Sequence, residues 1–202
     1  PRFVSEGDFL KLNFLEDEEQ IPERIKVYTV KSPEKDKLEV LSKLLCYLGD
    51  KSSLVFVNYR ESVERVYRYL LQAGISCEMF HGGMEQKDRE RALYKFSNGS
   101  CNVFVSTDLA ARGLDIPNID HVIHYHLPLN EDAYIHRNGR TARWDASGNV
   151  FLILGPEEYL PEFIQQIPED YVWEGPKPDP AKPQWVTLYI GKGKKDKINK
   201  VD

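Results

Sequence analysis

The chain has 202 residues, 41% hydrophobic and 29% charged, with a formal net charge of −5. That composition suits a globular domain with one good core and excludes a general polyanion binder, so any basic groups that serve a ligand must be gathered on one surface. There is no apolar run long enough to span a membrane and no charged-then-apolar leader pattern at the N-terminus, so a cytoplasmic location without membrane contact is expected. Cys46, Cys77 and Cys101 are odd in number and widely spaced, which indicates neither a disulfide framework nor a zinc site. His124 and His126 would share a strand face, but no further ligand completes a set, and no metal is expected.

Residues 1–24 show weak periodicity and the acidic run Glu16-Asp17-Glu18-Glu19, and read as a linker or entering segment. Pro1 is not a natural translation start, so a cut fragment is expected. Ile25 to Val30 alternates apolar and polar residues, the pattern of an edge strand. Pro33 opens a helical pattern with Leu38, Leu41, Leu44, Leu45 and Leu48 on one face, closed by Gly49-Asp50. Leu54 to Val57 is a continuous apolar run, as in a strand covered on both faces. The next helix turns Val63, Val66, Tyr67, Leu70 and Leu71 inward and stops at Gly74. Ile75 to Phe80 is a strand. A helix from Glu85 to about Ser97 buries Ala92, Leu93 and Phe96, and Asn98-Gly99 closes it.

Val103 to Val105 and His121 to Tyr125 are further strands, and Asn130 is placed to cap the helix that follows. Val150 to Leu154 is another strand, and Pro156 reads as the start of a last helix. Residues 168–184 are proline-rich and read as a stiff, extended linker. Trp185 to Ile190 has the pattern of a strand and precedes Gly191-Lys192-Gly193-Lys194-Lys195-Asp196-Lys197. That basic stretch is not a phosphate-binding P-loop, lacking the spacing between glycines and the Ser or Thr after lysine.

Strands alternating with helices across short connections predict an α/β fold, a parallel sheet with helices on both faces. Ligands of such folds bind at the C-terminal ends of the strands. Three polar segments fall just there: Asn58-Tyr59-Arg60, His81-Gly82-Gly83 and Ser106-Thr107-Asp108. Further along, His136-Arg137-Asn138-Gly139-Arg140-Thr141-Ala142-Arg143 packs three arginines and a histidine into eight residues. Arginine is always charged and its fork matches phosphate oxygens, so such a cluster calls for an anion.

Two stretches together carry a resemblance. Ser106-Thr107-Asp108-Leu109-Ala110-Ala111-Arg112-Gly113-Leu114-Asp115 resembles motif V, and His136 to Arg143 resembles motif VI, of the DEAD-box RNA helicases of superfamily 2. The resemblance covers roughly residues 25 to 165, the second RecA-like domain of that family; the P-loop and Asp-Glu-Ala-Asp motif of the first domain do not occur in the sequence. It implies that Arg140 and Arg143 are arginine fingers, reaching the γ-phosphate of ATP that is held, with Mg2+, mainly by an N-terminal RecA-like domain. Such fingers are worth ~10³ to 10⁵ in rate in GTPases. His136, Arg137 and Arg112 are implied at the interface between domains. Gly113 and Asp115 match positions near the nucleotide, and Thr107 matches an RNA-phosphate contact.

Leu54 to Arg60 resembles motif IV, which assigns Arg60 and Asn58 to the RNA backbone; Tyr59 stands where the family often has Thr. The loop carrying Gly82 and Gly83 resembles one usually written His-Gly-Asp, whose glycines let backbone N–H groups approach phosphate. Gln86 and Arg89 fit the family's Gln-x-x-Arg and would face RNA across one helical turn. Motif VI departs from the usual His-Arg-Ile-Gly-Arg-x-Gly-Arg at Asn138 and Ala142. Trp185 to Asp202 is similar to the start of the RNA-binding extension of the DbpA-type subgroup, which grips ribosomal RNA. The implied function is the C-terminal motor domain of an ATP-dependent RNA helicase, inactive as a fragment. The alternatives are a domain of the same fold that binds RNA or protein without an ATP cycle, and a superfamily 2 motor acting on DNA.

Overall fold

The computed structural model describes residues 25–112, 119–141 and 148–188. Short apolar runs become strands and the amphipathic stretches between them become crossover helices. In chain order the elements are β1 (Ile25–Lys31), α1 (Leu38–Leu48), β2 (Ser53–Phe56), α2 (Arg60–Gln72), β3 (Cys77–Phe80), α3 (Gln86–Ser97), β4 (Val103–Ser106), α4 (Asp108–Ala111), β5 (His121–His124), α5 (Glu131–Asn138), β6 (Gly148–Leu154) and β7 (Glu169–Asp170). They form one seven-stranded sheet in the order β3-β4-β2-β5-β6-β1-β7, parallel throughout.

Because successive residues of a strand point to opposite faces, the sheet feeds two cores. Leu54, Phe56, Phe104, Val122, Val150 and Leu152 pack on one face with Phe96 of α3, Ala110 and Ala111 of α4 and Tyr134 of α5. Val55, Val57, Val103, Val105, Ile123, Phe151 and Ile153 pack on the other with Leu41, Leu44 and Leu45 of α1 and Val63, Val66 and Leu70 of α2. All four residues of β2, β4 and β5 are buried, which is why Leu54 to Val57 and Val103 to Val105 read as continuous apolar runs.

Several expectations are corrected. β1 is not the edge; it lies between β6 and β7. β7 covers it only at Tyr28 and Thr29, so most of its outer side keeps the alternating pattern of an edge. The first helix begins at Leu38 rather than at Pro33, its Leu38 N–H held by Asp36 Oδ1 at 3.3 Å. Leu71 stays 46% exposed, one step off the buried face of α2. No helix starts at Pro156. Pro161 removes a backbone donor and drives the residue before it out of the helical region, so residues 155–164 form turns closed by Glu158 N–H to Gly155 O and Ile164 N–H to Pro161 O.

Trp185 to Leu188 are not a strand; Thr187 binds through its hydroxyl to Asn98 and Ser100 at the end of α3. Ile190 lies outside the described residues. The proline-rich segment is extended but held against the domain. Tyr171 stacks edge-on against Phe151 and Trp173, Trp173 reaches Tyr47 and sits under Lys43, and Tyr47 donates to Gly175 O at 2.8 Å.

Candidate functional site

The three polar loops emerge together, as expected, at the C-terminal ends of β2, β4 and β3, and a fourth, carrying His126, follows β5 beside them. Thr107 caps the N-terminus of α4, its Oγ1 accepting from Ala110 N at 3.4 Å. That places Asp108 in the first turn of α4, where it meets Arg137 from α5.

Arg137 is the organising side chain, and its guanidinium is engaged within this domain. It is 1% exposed. Nε donates to Asp108 Oδ1 at 2.5 Å and Nη2 to Asp108 Oδ2 at 2.7 Å, a bidentate pair. Nη2 also donates to Asn58 Oδ1 at 2.8 Å, and Nη1 to His126 O at 2.8 Å and His124 Nδ1 at 3.3 Å. All five guanidinium donors are used inside the domain, and the cation lies over the Phe56 ring at 5.1 Å. Arg137 therefore ties motif V to motif VI and to the ends of β2 and β5. Asn58 belongs to the same network. Its Oδ1 takes Arg137 and its Nδ2 donates to Leu127 O at 3.2 Å, so its amide is a strut of the network.

The histidines beneath this network are neutral. Burial, then the charge of Arg137, pushes His124 down to about 3. Burial, then the charge of Lys37, pushes His126 down to about 4. His126 Nδ1 accepts the Asn58 N–H at 3.1 Å, which leaves its proton on Nε2. Asn138, buried completely, meets His124 Nε2 with its Oδ1 at 2.9 Å.

In front of Arg137, a shallow depression is lined by Phe56, Asp108, Ala111, Arg112, Ala133, His136, Arg137 and Arg140. Arg112 and His136 are exposed and Arg140 half-buried, so three basic side chains border one small concavity. Arg140 follows the C-terminus of α5, and its N–H closes a turn on Arg137 O at 3.2 Å. Gly113, Asp115 and Arg143, as well as Ala142, lie outside the described residues.

The remaining candidates gather around β3, the open edge of the sheet. The Arg60 guanidinium lies directly over Gly83, where a Cβ would fall 1.9 Å from its central carbon. Arg60 Nε is 3.9 Å from Glu64 Oε1, and His81 Nε2 is 3.6 Å from the same carboxylate. His81 is buried, its Nδ1 accepts from Gly83 N at 3.2 Å, and burial followed by the charge of Arg60 lowers its pKa. Gly82 and Gly83 are exposed. Arg60, Glu64, His81, Gly83, Arg91 and Lys95 border a groove of about 530 Å³ there. At the start of α3, Gln86 is exposed and donates to Glu90 at 2.8 Å, while Arg89 is half-buried with its guanidinium 4.8 Å from the Phe80 ring centre.

Sequence reasoning missed Asp108, His126 and the part played by His124. Asp108 stood inside motif V without a role, and the histidines were weighed only as metal ligands. The available signal was a carboxylate at a helix start facing an arginine-rich helix from a neighbouring strand, but the pairing needs the β4-β2-β5 order, which motif spacing alone does not give.

Comparison with known proteins agrees with this geometry. Residues 36–145 match the family model for the helicase conserved C-terminal domain. The chain is 41% identical over 162 residues to the ATP-dependent RNA helicase mak5 of Emericella nidulans, a match covering 74% of this chain and 21% of that protein. It is 38% identical over 148 residues to the DEAD-box ATP-dependent RNA helicase 53 of Oryza sativa subsp. japonica, covering 72% of this chain and 24% of that protein. The chain thus spans about a fifth to a quarter of the length of these relatives. Among solved structures it resembles the C-terminal domain of the DEAD-box protein Dbp5, with TM-score 0.60 and 30% identity over 66% of this chain and 78% of that one. It also resembles the E. coli DEAD-box protein SrmB bound to regulator of ribonuclease activity A, with TM-score 0.66 and 32% identity over 80% of this chain and 98% of that one. With its parallel sheet, its motif V–motif VI junction and these likenesses, the chain belongs to the DEAD-box RNA helicases, as their C-terminal helicase domain.

Proposed function

We propose that this domain is the C-terminal motor half of an ATP-dependent RNA helicase: it completes an ATP site held on an N-terminal RecA-like domain and grips the RNA backbone. The observation that carries the reading is the depression at the C-terminal rim of the sheet, where Arg112, His136 and Arg140 converge and Arg137 stands locked behind them by Asp108. Such a rim suits a phosphoryl group presented from outside; it is too shallow to enclose a nucleotide. ATP with Mg2+, when bound, supplies the phosphoryl group whose hydrolysis drives the cycle.

In this reading Arg140 and Arg143 place positive charge against the transferred phosphoryl, where preorganised charge has its greatest effect. Gly113 and Asp115 would lie near the nucleotide. Arg137, bonded to Asp108, fixes the helix that offers Arg140, while His136 and Arg112 face outward. Arg60, Gly82, Gly83, Gln86, Arg89 and Thr107 form the RNA track. Phosphate and sugar contacts position a strand without reading its sequence, which suits strand separation without sequence preference. The segment from Trp185 onward would begin an RNA-binding extension for ribosomal RNA, and the protein would act in the cytoplasm.

The test is RNA-stimulated ATP hydrolysis by the full-length polypeptide, wild type beside Arg143→Ala, with this fragment as control. Stimulated turnover that Arg143→Ala abolishes while nucleotide still binds is the expected result. RNA binding without any hydrolysis by the full-length protein would hand the reading to a non-catalytic module, and fast turnover by the fragment alone would refute the half-site model. Binding of the fragment to RNA is expected to be weak and to fall steeply with salt.

A further inference from the structure

Asn138 is a buried amide at a motif VI position where the resemblance leads one to expect isoleucine. It is the last residue of α5, and its side chain is completely buried. A buried amide costs free energy unless it is bonded. Only its oxygen is bonded: Oδ1 lies 2.9 Å from Nε2 of His124 at the end of β5, while Nδ2 has no hydrogen-bond partner among the described residues. The direction of this bond follows from the neighbour on the other ring nitrogen. Arg137 Nη1 lies 3.3 Å from His124 Nδ1, and a guanidinium can only donate. Nδ1 is therefore the acceptor, Nε2 carries the proton, and the ring donates to Asn138. Phe56 and Tyr134 flank the imidazole at centroid distances of 6.4 and 5.7 Å and hold its plane.

The main chain of Asn138 begins the turn that carries Arg140. Asn138 O accepts Thr141 N–H at 3.0 Å, Gly139 N–H closes on Ile135 O at 2.8 Å, and Arg140 N–H closes on Arg137 O. At its far end the turn is pinned again, since Thr141 Oγ1 donates to Ile119 O, just before β5. An apolar contact at position 138 would press α5 onto the sheet but is non-directional. A hydrogen bond to a ring whose tautomer and plane are both set fixes the rotation and height of the helix end.

The geometry points to the His124–Asn138 hydrogen bond as a positioning device for Arg140, one that replaces the apolar contact expected at this place in motif VI. The inference rests on the reading of Arg140 as an arginine finger.

The experiment measures kcat and the RNA concentration for half-maximal stimulation on the full-length polypeptide, for Asn138→Leu, His124→Leu, His124→Gln and Arg140→Ala, with folding of each checked by thermal melting. Misplacement of a charged group by about 1 Å can cost about 100-fold in rate, so Asn138→Leu and His124→Leu are expected to lower kcat by 10-fold to 100-fold and leave half-maximal RNA unchanged. His124→Gln, which restores an N–H toward Asn138, is expected to recover most of that loss. A folded Asn138→Leu protein with wild-type kcat beside an inactive Arg140→Ala overturns the positioning role. So does a defect confined to RNA affinity, or a His124→Gln protein no better than His124→Leu. If Asn138→Leu does not fold, the contrast between the two His124 variants decides. Wild-type turnover by Arg140→Ala overturns instead the arginine-finger reading on which the inference stands.

Discussion

Among the described residues two cations are buried near the C-terminal rim of this sheet, and they are held differently. Arg137 sits beneath motif VI with a bidentate carboxylate and every donor used. Lys37, 3% exposed, sits between the ends of β5 and β6, where Nζ donates to Ile153 O at 2.9 Å and Glu158 Oε2 at 2.7 Å and lies 5.4 Å from the Tyr125 ring centre. Burial lowers the Lys37 pKa, opposed by the bond and charge of Glu158. Burial alone would raise the Glu158 carboxyl, but the Lys37 and Gly155 hydrogen bonds and the Lys37 charge bring it below its ordinary value. An arginine cannot escape burial by losing its proton, whereas a lysine can. A buried arginine must therefore be fully satisfied, and that obligation ties four elements and loops into one junction. The lysine ties only two, and its pair can be replaced.

The sharpest break of the comparison is Arg137→Ala. It strands Asp108 and empties the junction, and removing one member of a buried pair costs about 3–5 kcal/mol in denaturant unfolding. Arg137→Lys is expected to recover little, because a point charge cannot reproduce the fork. A loss below about 1 kcal/mol for Arg137→Ala would mean the junction is not the organising centre.

The second expected effect is on acid stability. His124 has a folded pKa of about 3 against an ordinary 6.5, so the unfolded chain binds the proton first as pH falls. The stability contributed by keeping His124 neutral is full above 6.5 and is lost as pH drops toward 3, about 4–5 kcal/mol across that window. Replacing His124 by Gln should flatten the stability profile between these pH values; an unchanged slope in urea titrations would count against a neutral, buried ring.

Gly148→Ala probes the support at the far end of motif VI. A Cβ there would fall 1.9 Å from Thr141 Oγ1, and Thr141 is buried and bonded to Ile119 O, so neither partner yields easily. Overpacking of this kind costs about 1–3 kcal/mol, read as a shift in denaturation midpoint.

The smallest effect is expected at the lysine. Lys37→Met leaves Glu158 without its cation, but at 38% side-chain exposure that carboxylate can return to water, so the loss is expected to be smaller than for Arg137→Ala. We expect a change within about 1 kcal/mol. Lys37 also loses its proton more readily folded than unfolded, so its presence makes stability rise with pH below 10.5, and Lys37→Met should remove that rise. A loss as large as that of Arg137→Ala would erase the distinction between the two cations.

Much of this was legible in the residues alone. The apolar runs of β2 and β4, the Asn130 cap and the two motifs required only local pattern, because burial on both faces, capping geometry and motif spacing are properties of neighbours in sequence. Asn130 Oδ1 does accept the Ala133 N–H at 2.8 Å. Alternation in β1 suggested an edge, and a helix pattern after Pro156 ignored Pro161; both readings failed where a distant pairing or a single missing donor outweighed periodicity.

The sequence by itself determined that this is a parallel α/β domain with phosphate-seeking arginines at the strand ends, since chain pattern dictates strands, crossovers and the rim on which polar loops emerge. Only the tertiary structure decided which arginine faces outward. Arg137 and Arg140 are three residues apart on one motif, yet one is sealed by Asp108, Asn58, His124 and His126 and the other borders the open depression. That division depends on strands β4, β2 and β5 lying side by side, which brings together partners 11 to 79 residues apart in the chain, a distance at which sequence pattern carries no geometry.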